Sequence, residues 1–498
     1  MTGRWALSVF MLCATAPLAS AQTYALRGTI VSPSDVVRDG SVAVNGPAIA
    51  QLMTTPAQDA IDVDGVIFPG LIDLHNHLTW NLFPRWKPNR LFANRYEWQE
   101  TVEYAEMLSG PNAALNAGLG NPMNSYSCDM NRYGELKAIV NGATSTVGGA
   151  SGECIRGLAR NLDALSELTP NQKINTEPFR NLVFPFQPST PCEEQAIRDI
   201  GKPVKDCSEY LNVPQASGPA TRPKPSTLNA VVAHVAEGAD ASARREFTML
   251  ESHGFLVPGL SIIHGVALER EHFYKMAKAG VGFIWSPRSN IELYGRTADI
   301  ASATAVRDDP TVGKRLTIAI APDWSPSGST GMLAELAYVA RLRHAAPFNT
   351  LSEKDLVEMA TVNPAKLAGL DTRIGRIAPG YASDLIVMRK RPWTQSVPPN
   401  DEQMRTLAYQ ALLMQTPADL ELVVVGGVPV FGEPALMGKL LSAAELQQTE
   451  TIVVCGESRV INVKVGQYKS TPWSATAQRL RDALASFRIG LADFVECR

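Results

Sequence analysis

Residues 68–77 read FPGLIDLHNH: an apolar run, a Pro-Gly break, a second apolar run, then two histidines one residue apart. On a strand, side chains at i and i+2 point the same way. His75 and His77 therefore aim two imidazoles at one point from a strand's end. Three further segments close apolar runs with the groups such a point lacks. LNAVVAHVAEG (228–238) leads an apolar strand into His234, with Glu237 three residues on and Gly238 opening a turn. His234 is a third metal-ligand candidate, and Glu237 is placed to reach the same point as a proton shuttle. LSIIHGVAL (260–268) ends a buried-strand pattern at His264, and LTIAIAPDWSPSGS (316–329) ends at Asp323 before a Trp-Ser-Pro-Ser-Gly loop. Functional side chains at the C-terminal ends of successive strands are the habit of a parallel (β/α)8 barrel. Imidazole nitrogen with carboxylate oxygen suits a divalent ion that keeps one position open for water. A single HxH is often an idle surface pair; four such strand ends together are not.

These residues carry a family resemblance. PGLIDLHNH, HVAE, the strand-end His264, SPRSNIEL (286–293) and the strand-end Asp323 resemble the amidohydrolase superfamily. Within it they are similar to the branch of cytosine, guanine and S-adenosylhomocysteine deaminases and triazine chlorohydrolases. The likeness runs over roughly residues 24–432, and ATVNPAKLAGL (360–370) and GRIAPGYASDLIVM (375–388) resemble that family's last barrel helix and its return strand. It implies an α/β chain: a TIM barrel over 67–372, and a small β-sandwich built from residues 22–66 and 373–438, with 439–498 as a C-terminal extension. It also implies that His75, His77, His234 and Asp323 hold one divalent ion, Zn²⁺ with Fe²⁺ as the alternative. Asp323 then takes the proton of the attacking water, Glu237 carries a proton to the substrate nitrogen, and His264 polarises the carbonyl or imine. Two-metal members of the superfamily bridge their ions with a carboxylated lysine or a glutamate on the fourth strand. Lys173, Lys202, Lys205 and Lys224 lie in polar or Pro-flanked stretches, and none closes an apolar run, so one ion is expected.

The chain opens MTGRWALSVFMLCATAPLASAQT: a basic start at Arg4, a short apolar core and an Ala-Ser-Ala ending. Residues 1–21 thus have the shape of a secretory signal peptide, implying a periplasmic or secreted enzyme. The apolar stretch is too short and broken for a membrane anchor, and no stable membrane insertion is expected. Without Cys13, six cysteines remain, an even number that suits an oxidising compartment. Proximity pairs Cys192 with Cys207 and Cys455 with Cys497, leaving Cys128 with Cys154, although spacing alone does not decide connectivity. Lys plus Arg number 46 against 49 Asp plus Glu, and no basic stripe argues for nucleic acid as a partner; the partner that the resemblance implies is a small-molecule substrate. Association into a homo-oligomer is left open.

The first loop of the barrel, from Leu78 to Asn141, is long and rich in Trp and Tyr. Loops of that length are usually functional or fold on their own, so it reads either as a pocket wall or as an aromatic plug. In the first reading Trp80, Phe83 and Trp86 hold a flat apolar substrate moiety. Arg288 and Asn290 then face the pocket from the loop after the seventh strand (281–290), and Arg85 or Arg288 anchors a carboxylate. Residues 142–151 read as the second strand, 181–187 as the third or fourth, and 188–226 as a Pro- and Ser-rich excursion. His253, His272 and His344 lie in helical or cap positions away from the metal. The expected activity is hydrolysis of a non-peptide C–N bond, of amide, carbamate or urea type, in a small aromatic compound, since an exported enzyme has little reason to deaminate cytosolic nucleosides. A deaminase of a cyclic amidine is the alternative, and a catalytically dead barrel acting as a binding protein is a third reading.

Overall fold

The computed structural model describes residues 22–32, 35–149, 158–163, 227–392, 394, 399–414, 416–464 and 471–497, with short pieces between 172 and 200. The N-terminal runs rich in β-branched residues form strands β1 (Thr23–Val31), β2 (Val36–Asn45) and β3 (Ala48–Met53), paired antiparallel in sequence order. Strand β4 (Ile61–Pro69) returns parallel to β1. Residues 67–69 thus belong to β4, and the first barrel strand begins after Gly70.

Among the described residues eight parallel strands follow in two arcs. The first arc is β5 (Leu71–Asp73), β6 (Ala143–Thr146) and β7 (Arg160–Asn161). Next come β8 (Gln172–Thr176) and an antiparallel pair, β9 (Phe179–Asn181) with β10 (Gln187–Pro188). Strands β11 (Thr227–Val235), β12 (Leu260–His264), β13 (Gly282–Trp285) and β14 (Ile318–Ile320) complete a second arc, in the order β14-β13-β12-β11-β8. The arcs meet where Asn76 bridges Asp323 in parallel and the Asp323 N–H donates to the His75 carbonyl at 3.1 Å. Strands β6, β12, β13 and β14 are buried at every position, as expected of parallel strands covered on both faces.

The Gly282–Trp285 strand is the seventh of the eight, as its sequence implied. Of the run 181–187, Asn181 and Gln187 lie in the antiparallel β9–β10 pair, and residues 182–186 lie outside those described. The fourth strand is β8, which carries Lys173 at its second position and not at its C-terminal end.

After the barrel the chain returns to the first sheet through β15 (Leu385–Arg389), β16 (Leu420–Val425) and β17 (Val428–Gly432), then β18 (Glu450–Val454) and β19 (Glu457–Ile461). All join one nine-stranded sheet in the order β18-β19-β17-β16-β15-β4-β1-β2-β3. The N- and C-terminal segments thus do share a sheet, and the extension adds two strands to it. The first barrel loop folds into short helices followed by the helix Ser127–Val140. That helix is buried from Met130 to Val140, charges included, because the extension covers its outer side. Arg132 donates to Thr476 Oγ1 at 2.7 Å and to the Thr471 carbonyl at 2.9 Å. Among the described residues no helix is long and apolar enough to cross a membrane.

The last residues return over the first loop. The Ala492 N–H donates to the Leu82 carbonyl at 2.9 Å, Asn141 Nδ2 to the Phe494 carbonyl at 2.9 Å, and Phe494 stacks on Tyr133 with ring centres 5.1 Å apart. The expected Cys455–Cys497 disulfide ties this tail to the turn after β18. Cys128 is also disulfide-bonded. Cys154, Cys192 and Cys207, and the leader 1–21, lie outside the described residues. The disulfide closes a 42-residue separation, so Cys497→Ser is expected to lower unfolding free energy by about 2–4 kcal/mol. Urea unfolding of the purified protein, with and without the substitution, measures it.

Candidate metal centre

Every strand-end group picked out in the sequence arrives at one place. His75, His77 and His234 bring their ligand atoms within 4.8 Å of one another, as do His75, His264 and Asp323, and His234, Glu237 and His264. His75 Nε2 lies 3.0 Å from His234 Nε2 and 3.2 Å from Asp323 Oδ1, and His77 Nε2 lies 3.4 Å from the same oxygen. The local backbone is built for this. Ala236, His264 and Asp323 all adopt positive φ, at 57°, 68° and 64°, a conformation that costs non-glycine residues energy and clusters at functional sites. Gly148 lets β6's end approach the His75–His77 segment, since a Cβ there would lie 1.8 Å from the Asn76 carbonyl oxygen. Gly238 does the same for the first loop, where a Cβ would meet the Ala93 carbonyl and Asn94 Cα at 2.5 Å.

The outer contacts orient the rings. Ser286 Oγ sits 2.7 Å from His75 Nδ1, and Asn290 Oδ1 accepts from His264 Nδ1 at 2.7 Å while its Nδ2 donates to Thr297. In neutral His264 this leaves the Nε2 lone pair facing inward. Burial holds His75 well below its ordinary pKa, and burial likewise lowers His264 against the pull of Glu237. Burial works against the charge of Asp323, but the imidazoles of His75, His77 and His264 outweigh it and hold its carboxyl well below the carboxylate range. Ser289 Oγ donates to Asp323 Oδ2 at 2.7 Å, which leaves Oδ1 for the histidines. Beneath them, burial pushes Asp73 up to about 8. Its oxygens accept from the His75 N–H at 3.1 Å and from Asn76 Nδ2 at 2.6 Å, fixing the HxH segment. Neutral imidazoles and an ionised carboxylate with converging lone pairs are the donor set a divalent ion requires.

Glu237 is 4% exposed, and its Oε2 lies 3.6 Å from His264 Nε2. Its Oε1 accepts from Tyr294 Oη at 2.7 Å. Burial, and then the charge of Glu237, raise the Tyr294 phenol well above its ordinary range, so the phenol keeps its proton.

The expected substrate contacts divide. Trp80 is half-buried against Trp324 (5.6 Å) and stacked on Tyr104 (6.4 Å), and Trp324 in turn stands 6.1 Å from the His77 ring. Phe83 is 0% and Trp86 3% exposed, so both are packing residues of the insertion and do not line an open wall. Asn290 is spent on His264. Arg288 and Arg85 meet the tail's Glu496 at 2.7 and 3.4 Å, so neither stands ready for a substrate carboxylate. His253 caps its helix through Met249, and His272 accepts from the Glu269 N–H. Sequence reasoning passes over Tyr294, Trp98 and Ser286. The first two are aromatics with no periodic signal, whereas Ser286 opens the SPRSN segment that carries part of the resemblance.

Residues 294–430 match the Amidohydrolase family. Over that span the chain carries an Amidohydrolase family domain. The chain is 23% identical over 374 residues to a 5-methylthioadenosine/S-adenosylhomocysteine deaminase of Syntrophobacter fumaroxidans, covering 71% of this chain and 78% of that protein. A deaminase of the same name from Pyrococcus furiosus is 24% identical over 392 residues, covering 73% and 83%. Among solved structures, a zinc-bound adenosine deaminase from Xanthomonas campestris superposes with a TM-score of 0.56 at 15% identity, covering 93% of this chain and 98% of that one. A triazine hydrolase variant does so at 0.55 and 17%, covering 82% and 94%. These likenesses establish the fold that the two strand arcs describe.

Outer hydrogen bonds to ligating histidines typically contribute 10–100-fold in metal affinity. Ser286→Ala is accordingly expected to weaken retention of added Zn²⁺ by roughly 10–100-fold, read by competition with a chromophoric chelator.

Proposed function

We propose that this amidohydrolase-family enzyme uses one divalent ion, Zn²⁺ by preference, to hydrolyse a C–N bond of a small, flat, aromatic compound. The observation that carries this is the buried convergence of His75, His77, His234 and Asp323 beside an acid–base pair, Glu237 and His264, under the Trp80–Tyr104–Trp324 wall. When bound, the ion supplies water acidic enough to ionise near neutral pH. Asp323, held ionised, would hold the ion through Oδ1 and offer its carboxylate to orient the attacking water and take its proton. Glu237 delivers a proton to the departing nitrogen. His264, its Nδ1 pinned by Asn290, presents Nε2 to the same space and steadies the developing charge. Buried Trp324 and half-buried Trp80 and Tyr104 exclude water and orient a flat ring. Closure of the two strand arcs into a complete barrel is part of this reading, as the likeness to the solved structures supports.

The curated relatives bear the name deaminase, which favours replacement of an exocyclic amine by water, with release of ammonia. Cleavage of an amide, carbamate or urea is the second reading, favoured if residues 1–21 are the secretory signal their sequence pattern suggests. Ammonia release from 5-methylthioadenosine and aminotriazines, set against aniline release from acetanilide and ethyl N-phenylcarbamate, separates the two. Export itself predicts a mature N-terminus at Gln22, which N-terminal sequencing of protein from the periplasm checks.

Two substitutions test the roles. Glu237→Gln should leave metal content unchanged and lower kcat by about 10²–10⁴; loss of metal with retained turnover would refute the assignment. Trp80→Ala should raise KM for an aromatic substrate about 10-fold and leave KM for a small truncated analogue nearly unchanged.

A further inference from the structure

The insertion does more than roof the pocket: it reaches the acid–base group through a hydrogen-bond chain. Segment 92–98 is pinned along the Glu237 loop and the end of the helix Pro287–Tyr294. The Phe92 N–H donates to the Leu293 carbonyl at 2.8 Å, the Arg95 N–H to the Glu237 carbonyl at 3.1 Å, and the Ala239 N–H to the Ala93 carbonyl at 2.7 Å. Asn94 bridges Gly238, and Asn94 Nδ2 donates to Asp240 Oδ2 at 2.8 Å. From the same segment Trp98 Nε1 donates to Tyr294 Oη at 2.8 Å, and Tyr294 Oη donates to Glu237 Oε1 at 2.7 Å. All three side chains are buried, at 7%, 5% and 4% exposure. Trp98 also packs on Trp324, ring centres 5.9 Å apart, beside the Asp323 strand end.

The proton inventory of this chain is closed. An indole N–H is a donor only, so it occupies an acceptor site on the phenol oxygen. The one phenol proton is then committed to Glu237 Oε1. With Oε1 taken, Oε2 is the oxygen left toward the reacting groups, 3.6 Å from His264 Nε2 and 3.8 Å from Arg95 Nη1.

We propose that Tyr294, itself oriented by Trp98, is a positioning residue that fixes the Glu237 carboxylate so that proton exchange with substrate occurs through Oε2. Tyr294 keeps its own proton throughout and never touches the reacting atoms. Trp98 makes the insertion part of the acid–base apparatus: displacement of segment 92–98 unsets the carboxylate. The inference rests on the reading of Glu237 as the acid–base group.

Tyr294→Phe keeps the ring and removes the hydroxyl. It should lower kcat by about 10–100-fold with KM nearly unchanged and metal content intact. Trp98→Phe, which serves also if Tyr294→Phe does not fold, should lower kcat about 3–10-fold by the same route. In a Glu237→Gln background, Tyr294→Phe should add little, because its effect passes through Glu237. A readout independent of any substrate comes from ¹⁵N-indole-labelled protein, whose Trp98 resonance is the one that Trp98→Phe removes. That resonance should move and exchange with solvent faster in Tyr294→Phe, and should move in Glu237→Gln. The outcomes are distinguishable. If Glu237→Gln retains turnover, the functional reading falls. If Glu237→Gln loses turnover while Tyr294→Phe stays within about twofold of wild type, or if the Trp98 resonance is unmoved by either change, the positioning role falls alone.

Discussion

The hydrogen bond from the Asp323 N–H to the His75 carbonyl, at 3.1 Å, joins the first barrel strand to the last. Asn76 and Asp323 share the accompanying bridge. Two segments almost 250 residues apart in sequence are thereby held in parallel register, and that register decides the site. In a ladder with a side-chain period of two, a slip of one residue turns every side chain to the opposite face. A slip at this seam would turn Asp323 away from His75 and His77 and separate the carboxylate from the imidazoles it complements.

The seam also explains where backbone strain is stored. Ala236, His264 and Asp323 each stand at or just beyond the end of a barrel strand with positive φ. Extended geometry continued through these positions would carry the chain onward, with successive side chains alternating across the sheet. A left-handed residue bends it at the strand mouth and lets His234, Glu237, His264 and Asp323 converge. Each such residue costs on the order of 1–3 kcal/mol. Fully buried strand interiors such as Leu260–His264 and Gly282–Trp285 hold the strained ends in place.

The strand-end groups are legible in the sequence because each closes an apolar run, and position on a strand is a local property. His75, His77, His234, Glu237, His264 and Asp323 need only that pattern. The roles of Phe83, Trp86 and Asn290 are not legible. Whether an aromatic of a long insertion lines a cavity or fills a core depends on what the insertion packs against. Phe83 and Trp86 are sealed in. Trp80, close to His77 in sequence, stays half-buried because its neighbours Tyr104 and Trp324 leave it an edge. The 181–187 run reads as a strand on composition, and its middle, 182–186, lies outside the described residues. The extension's two strands in the shared sheet have no signal in the resemblance, which ends before them.

The arginines show how a distant segment changes the chemistry of a site. Taken with their neighbours in sequence, Arg85 and Arg288 are cations near a pocket mouth and natural anchors for an anionic substrate. In the folded chain the tail supplies Glu496 to both, and Arg85 also donates to the Ser327 and Gly328 carbonyls at 3.2 and 2.9 Å, bracing the loop that follows Asp323. A substrate carboxylate would have to displace an internal one that is tethered one residue from a disulfide, and so present at high effective concentration. A tethered partner of the same charge and geometry outcompetes a free one at ordinary concentrations. The aromatic cluster that remains beside the histidines is Trp80, Tyr104 and Trp324, which suits the flat ligand proposed above better than an acidic one.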